Sequence, residues 1–233
     1  MRTGGISIGL LILACMARPS PAYAETWGGA GGPFVLQFSP RLEELNTHLR
    51  AVVGDAHGGM RLVGLGGLVG ISPNLRVGGA GAQGGSVLKG EGRISELSIE
   101  YGGLCGEYVL SLSRIECFAG AMIGWGSLRL RISRENRDMN WDDFWDFFEE
   151  EEDASPENLS GNLSASFFCH QPYVGAQVKL NDWLYLRGNI GYFGGRIGGE
   201  DWNESGIQLR NGPSVNFSNY TAQLTLLFGS FIR

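Results

Sequence analysis

Apolar and polar positions alternate with a period of two along most of this chain. The last segment is the clearest case. Tyr220, Ala222, Leu224, Leu226 and Phe228 fall on one face, and Thr221, Gln223 and Thr225 on the other. The stretch from Trp183 to Phe193 repeats it, with Leu184, Leu186, Ile190 and Tyr192 opposite Tyr185, Arg187 and Asn189. Read this way, the chain predicts eight strands, at 32–39, 60–71, 75–86, 95–110, 115–131, 163–179, 183–195 and 214–230. Long connectors at 40–59, 87–94, 132–162 and 196–213 take turns with tight ones at Ser72-Pro73-Asn74, Ser111 to Arg114 and Leu180-Asn181-Asp182, which are built from turn formers. Sorting of loops by length onto two ends is the layout of a small outer-membrane barrel. The expected fold is therefore all-β: an eight-stranded antiparallel up-and-down β-barrel with short loop helices.

The N-terminus reads as an export signal. Met1-Arg2 gives a small positive region, Gly4 to Ala17 an apolar run, and Ala22-Tyr23-Ala24 a small-x-small cleavage site, which predicts cleavage between Ala24 and Glu25. The expected organisation is a signal peptide at 1–24 and a single barrel domain at 25–233. Ile12-Leu13-Ala14-Cys15 loosely imitates a lipobox, so lipidation at Cys15 is the rival processing route. After Glu25 no segment is apolar for 18 residues, which excludes a helical span.

Glycine is the compositional anomaly, at 38 of 233 residues, where an average near ~7% would be usual. Many glycines fall inside the predicted strands, where small residues let a narrow barrel coil, close and accommodate long side chains across its interior. Arg61, Arg76, Glu100 and Arg187 are the expected lumen charges, paired with one another inside a plugged lumen. Valine at Gly79 or Gly81 should then impair assembly, whereas valine at Gly198 or Gly199 should be tolerated. Gly79-Ala80-Gly81-Ala82-Gln83-Gly84 matches a dinucleotide-binding fingerprint, but that motif works only where a strand hands over to a helix, and none follows here. The net charge of −6, with no Lys/Arg cluster, also disfavours a nucleic-acid partner.

Two long loops carry further signals. Ser39-Pro40 followed by Glu43-Glu44 starts a helix whose Leu42, Leu45 and Leu49 form one apolar stripe, suited to packing on the barrel rim or to binding a partner. Between 141 and 153, Trp141, Phe144, Trp145 and Phe148 have helical spacing beside a dense acidic run. They make a candidate surface-interaction loop, either solvated, seated at the membrane interface through divalent cations, or bound to a protein partner. Past the signal, Cys105, Cys117 and Cys169 leave at least one thiol free. His48, His57 and His170 stand apart, so no metal or cofactor is expected. No histidine lies in a nucleophile motif, which argues against catalysis.

Several segments resemble an uncharacterised family of small, exported, glycine-rich, outer-membrane-type β-barrel proteins. They are Gly31-Gly32-Pro33, Leu45-Asn46-Thr47-His48-Leu49, Arg76 through Ser86, Tyr101-Gly102-Gly103 with Glu107-Tyr108, Phe167-Phe168 to Gln171-Pro172-Tyr173-Val174, and Leu180-Asn181-Asp182-Trp183-Leu184. The resemblance implies a barrel and an exported location, and supplies no catalytic residue. The expected role is that of a structural or surface-interaction protein of the cell outer membrane, without catalytic activity, whose partners are the lipid bilayer and the barrel-assembly machinery. The alternatives are a periplasmic or surface barrel holding an apolar ligand, as lipocalins do, and a lipid-modifying outer-membrane enzyme. Which face of Tyr220 to Phe228 is lumenal separates the first two.

Overall fold

The structure, a computed structural model, describes residues 28–40, 42–49, 59–90, 93–134, 161–204 and 206–231. Its elements in chain order are β1 (Gly28–Phe38), α1 (Glu43–Leu49), β2 (Met60–Gly70), β3 (Leu75–Gly90), β4 (Arg93–Leu112), β5 (Ile115–Arg134), β6 (Gly161–Asn181) and β7 (Leu184–Ile197). Three short strands follow, β8 (Trp202–Glu204), β9 (Ile207–Gln208) and β10 (Val215–Asn216), then β11 (Asn219–Phe231). Strands β1 to β7 pair antiparallel with their sequence neighbours, β7 pairs with β11, and β11 returns to β1 from Gly28↔Phe231 to Phe38↔Thr221. Eight long strands thus close an antiparallel barrel, which leaves no free edge among them.

The tight turns follow their side chains. Leu75 N donates to Ser72 Oγ at 3.1 Å, Asn74 Nδ2 to the Val109 carbonyl at 2.8 Å, and Trp183 N to Asn181 Oδ1 at 3.0 Å. At the opposite end the expected long connector 87–94 is not long. β3 and β4 stay paired to Gly90↔Arg93, beyond the expected strand ends at Ser86 and Ser95. The expected strand 214–230 is also divided. Val215–Asn216 pairs with Ile197 and Arg196 of β7, and regular pairing to β7 resumes only at Asn219. The 196–213 connector is partly ordered as sheet, since Trp202 to Glu204 extends the β6 edge through Ala165 to Leu163.

Inward side chains at the long-loop end are apolar. Phe38, Tyr101, Phe167, Phe193 and Phe217 stack in a chain of ring contacts with centroids 4.6 to 6.4 Å apart. Trp202 is buried over them, its Nε1 donating to the Pro213 carbonyl at 2.7 Å. Leu42, Leu45 and Leu49 of the α1 segment are buried in the same cluster, so the apolar stripe packs onto the barrel. Phe167, and Phe118 and Phe34 elsewhere in the interior, fit because each lies over a glycine on an adjacent strand. A Cβ at Gly126 or Gly175 would stand within about 2.5 Å of the Phe167 or Phe118 ring, and Gly64 faces Phe34 in the same way. Gly78, unlike Gly79, is an intolerant position on β3, as are Gly84 and Gly85. A Cβ at Gly78 would run into the Gly67 carbonyl oxygen, whereas at Gly79 the only near atom is the Gly103 carbonyl oxygen at 3.3 Å. Gly199 is also tighter than its loop position suggested, with the Gly212 carbonyl oxygen 2.7 Å from its Cβ position.

Candidate functional site: the barrel interior and its outer wall

Toward the short-turn end the interior changes from apolar to ionic. Arg187 makes a two-pronged contact with Glu107, Nη1 to Oε1 at 2.9 Å and Nη2 to Oε2 at 2.5 Å. Arg76 Nη2 meets Glu116 Oε2 at 2.6 Å and its Nη1 lies 3.7 Å from Glu107 Oε1. Gln177 Nε2 donates to Glu116 Oε2 at 2.7 Å, and Ser111 Oγ and Tyr173 OH reach the two carboxylates at 3.3 and 3.5 Å. A ring covers each cation: Arg187 lies 3.5 Å from the Phe118 centroid and Arg76 3.7 Å from that of Phe231. Two arginines and two glutamates make the layer neutral, and five strands contribute its charged and amide groups.

Of the expected lumen charges, Arg76 and Arg187 are there and Arg61 and Glu100 are not. Leu62 and Gly64 take the inward positions of β2, which turns Arg61 out to solvent. On β4 the inward set is Leu97, Ile99 and Tyr101, so Glu100 lies on the outer wall, where Arg129 Nη2 and Ser127 Oγ each reach its Oε1 at 2.9 Å. The arginines pair instead with Glu107 and Glu116. Counting by twos from Tyr101 on β4 and back from Met122 on β5 leads to these two acids, so the signal was present in the alternation.

Between the apolar and ionic layers lies a cavity of about 50 Å³. Tyr101, Cys105, Gln171, Tyr173, Asn189 and Gln223 are among its lining residues. At roughly 10–15 Å³ per water it accommodates a handful of waters. Cys105, Cys117 and Cys169 are all free thiols, and Cys169 is buried while the adjacent His170 points outward. Among the described residues no three His, Cys, Asp or Glu side chains gather as a metal site needs. Ala24, Glu25 and the loop residues Trp141, Phe144, Trp145 and Phe148 lie outside the described residues.

The outer wall is apolar around the middle of the barrel. Tyr220, Leu224, Leu226 and Phe228 of β11 are exposed, as are Val35, Leu65, Leu104 (69% exposed), Val174 and Ile190 (65%) on other strands. Aromatic pairs mark two levels. Near the short turns Trp183 stacks on Phe228 at 6.1 Å. Farther up, Tyr192 meets Tyr220 at 5.6 Å and Trp125 meets Phe168 at 5.8 Å. Tyr220 and Phe228 are eight residues apart on one strand, which at a rise of ~3.3 Å per residue and a tilt of ~40° separates the levels by roughly 20 Å. Past the upper level the wall turns polar, through Gln37, Arg61, Gln83, Ser98 and Arg129.

Neither a protein-family model nor any curated protein matches the chain. Several solved structures are similar to it. The attachment invasion locus protein Ail of Yersinia pestis shares 11% identity, with 87% of this chain and 97% of that one covered and a TM-score of 0.46. The outer membrane protein OprG from Pseudomonas aeruginosa shares 11% identity over 88% and 95% of the two chains, at a TM-score of 0.43. The outer membrane protein AlkL, determined in lipid bilayers, shares 15% over 92% and 95%, at 0.41. At such identities the likeness extends to the fold alone.

Proposed function

We propose that the chain is an outer-membrane β-barrel with a lumen closed to solutes, acting as a structural or surface-interaction protein and not as an enzyme. The observation that carries this reading is the outer wall. Water-soluble monomers rarely expose contiguous apolar patches beyond a few hundred Å², yet here the apolar face of strand after strand points outward between two aromatic levels. Lipid is the solvent that such a wall fits, and aromatic girdles belong at the two interfaces of a bilayer.

The interior supports the closed lumen. Its charged layer is internally neutralised, and its apolar layer is packed by the Phe38, Phe167, Phe193 and Phe217 rings. A lipocalin-like role would need a pocket of roughly 300 Å³ or more, well above the cavity of about 50 Å³, and it would need the apolar face of Tyr220 to Phe228 turned inward. That face is turned outward. Among the described residues, His170 lies on the outer face of β6, without the nucleophile and carboxylate contacts that an acyl-transfer or hydrolytic role needs.

Cell fractionation tests the reading. The protein should require detergent for extraction, and the folded form should migrate differently from the boiled form on a gel. Recovery in the soluble fraction without detergent would overturn it. For the lipid-modifying alternative, altered lipid A masses on deletion or overexpression would replace the non-catalytic reading.

A further inference from the structure

The arginines of this protein fall into two populations. Those inside the barrel, Arg76 and Arg187, are each paired with a carboxylate. On the outer wall Arg129 is matched by Glu100, but Arg61, Arg131 and Arg196 are exposed, and none has a carboxylate partner among the described residues. Their placement is systematic. On β2, Arg61 occupies the outward position next after Val63, where the apolar face ends. On β7, Arg196 follows Tyr192 at the second outward position, and on β5, Arg131 follows Trp125 at the third.

All three therefore stand at or beyond the upper aromatic level, up to roughly 15 Å above it at ~3.3 Å rise per residue and ~40° tilt. Strands β2, β5 and β7 are three, two and three steps apart around the eight-stranded wall, so these three guanidiniums lie on different sides of it. In a chain of net charge −6, exposed cations spread over a zone from the upper aromatic level to roughly 15 Å above it offer that zone to a source of negative charge. Guanidinium suits phosphate, which it can grip with two parallel N–H donors, and its aliphatic stem can lie along apolar surface while the head reaches the headgroups.

We propose that Arg61, Arg131 and Arg196 form a collar that binds the phosphate groups of a phosphorylated glycolipid in the outer leaflet, and so fixes the depth of the barrel. This rests on the membrane reading above. Because the three sites lie on different sides of the barrel, they engage separate lipid molecules and not one ligand.

Lipid retention by the purified, folded protein in a neutral detergent tests this, with native mass spectrometry as the readout. The probes are diphosphorylated lipid A and the same lipid with its phosphates removed enzymatically. The expected result is at least tenfold tighter retention of the phosphorylated form, reduced by added salt and lost in R61Q/R131Q/R196Q. R114Q, which removes an exposed arginine at the short-turn end, should keep it. Equal retention of the two lipids, an unchanged triple variant, or an equal loss in R114Q would each overturn the collar. Heat-modifiable mobility measured on the same samples separates this from failure of the membrane reading, since a barrel that still needs detergent but ignores phosphate loses only the collar.

Discussion

Replacing Glu107 by glutamine perturbs the most heavily connected side chain in the barrel interior. Its carboxylate takes both prongs of Arg187 and lies 3.7 Å from Arg76. The side-chain exposures are 0% for Glu107, 6% for Arg187 and 5% for Arg76, so bulk water does not reach the released guanidinium. Arginine cannot relieve the strain by losing a proton. The variant therefore leaves one uncompensated positive charge in a layer that was neutral. Breaking a buried ion pair from one side costs about 3–5 kcal/mol, or roughly two to three and a half powers of ten in the unfolding equilibrium. Reversible urea unfolding of the protein refolded into lipid vesicles, followed by tryptophan fluorescence, measures it. Removing both partners, as in E107L/R187M, should recover most of the loss, because a neutral apolar pair leaves no orphaned charge from this contact. A loss below about 1 kcal/mol in E107Q, or a double variant no better than the single one, would refute the idea of a sealed ionic layer.

Further outcomes follow from the wall and the packing. Gly78→Ala should prevent closure of β2 against β3, seen as loss of the heat-modifiable form, while Gly188→Ala, whose Cβ meets nothing within 4 Å, should assemble normally. Leu224→Arg puts a charge midway between the aromatic levels and should cost about 2–4 kcal/mol in vesicles, whereas Gln83→Arg near the upper level should cost under about 1 kcal/mol. Phe193→Ala removes a ring that touches Phe38, Tyr101 and Phe167. It should destabilise by about 3–5 kcal/mol in the same urea assay.

The barrel was legible because its strands obey one rule for their whole length. Leu186, Ile190 and Tyr192 against Tyr185, Arg187 and Asn189 already separate the outside of β7 from its inside, and no long strand switches faces. The lumen was only half legible. Alternation says that Arg187 and Asn189 share a face, but it does not say which residues on other strands meet them, because register sets the neighbours across the barrel. Arg61 and Glu100 were misplaced for a related reason. A charged residue in a barrel strand suggests the lumen only where the outer face meets lipid, and on the membrane reading proposed above these strands continue beyond the aromatic level into water, where charge belongs on the outside. The glycines were read as packing residues, and position by position they needed the structure. Gly78 and Gly79 are neighbours in sequence, and only Gly78 has a carbonyl oxygen where its side chain would go.

The central claim is that the outer wall between the aromatic levels faces lipid. Fluorescent labels on single cysteines introduced at Leu224 and at Ser98, in a background without the native thiols, test it in vesicles carrying brominated acyl chains. The account predicts quenching by bromine and protection from aqueous iodide at position 224, with the reverse at 98. Iodide quenching at 224 with no effect of the brominated lipid would contradict it.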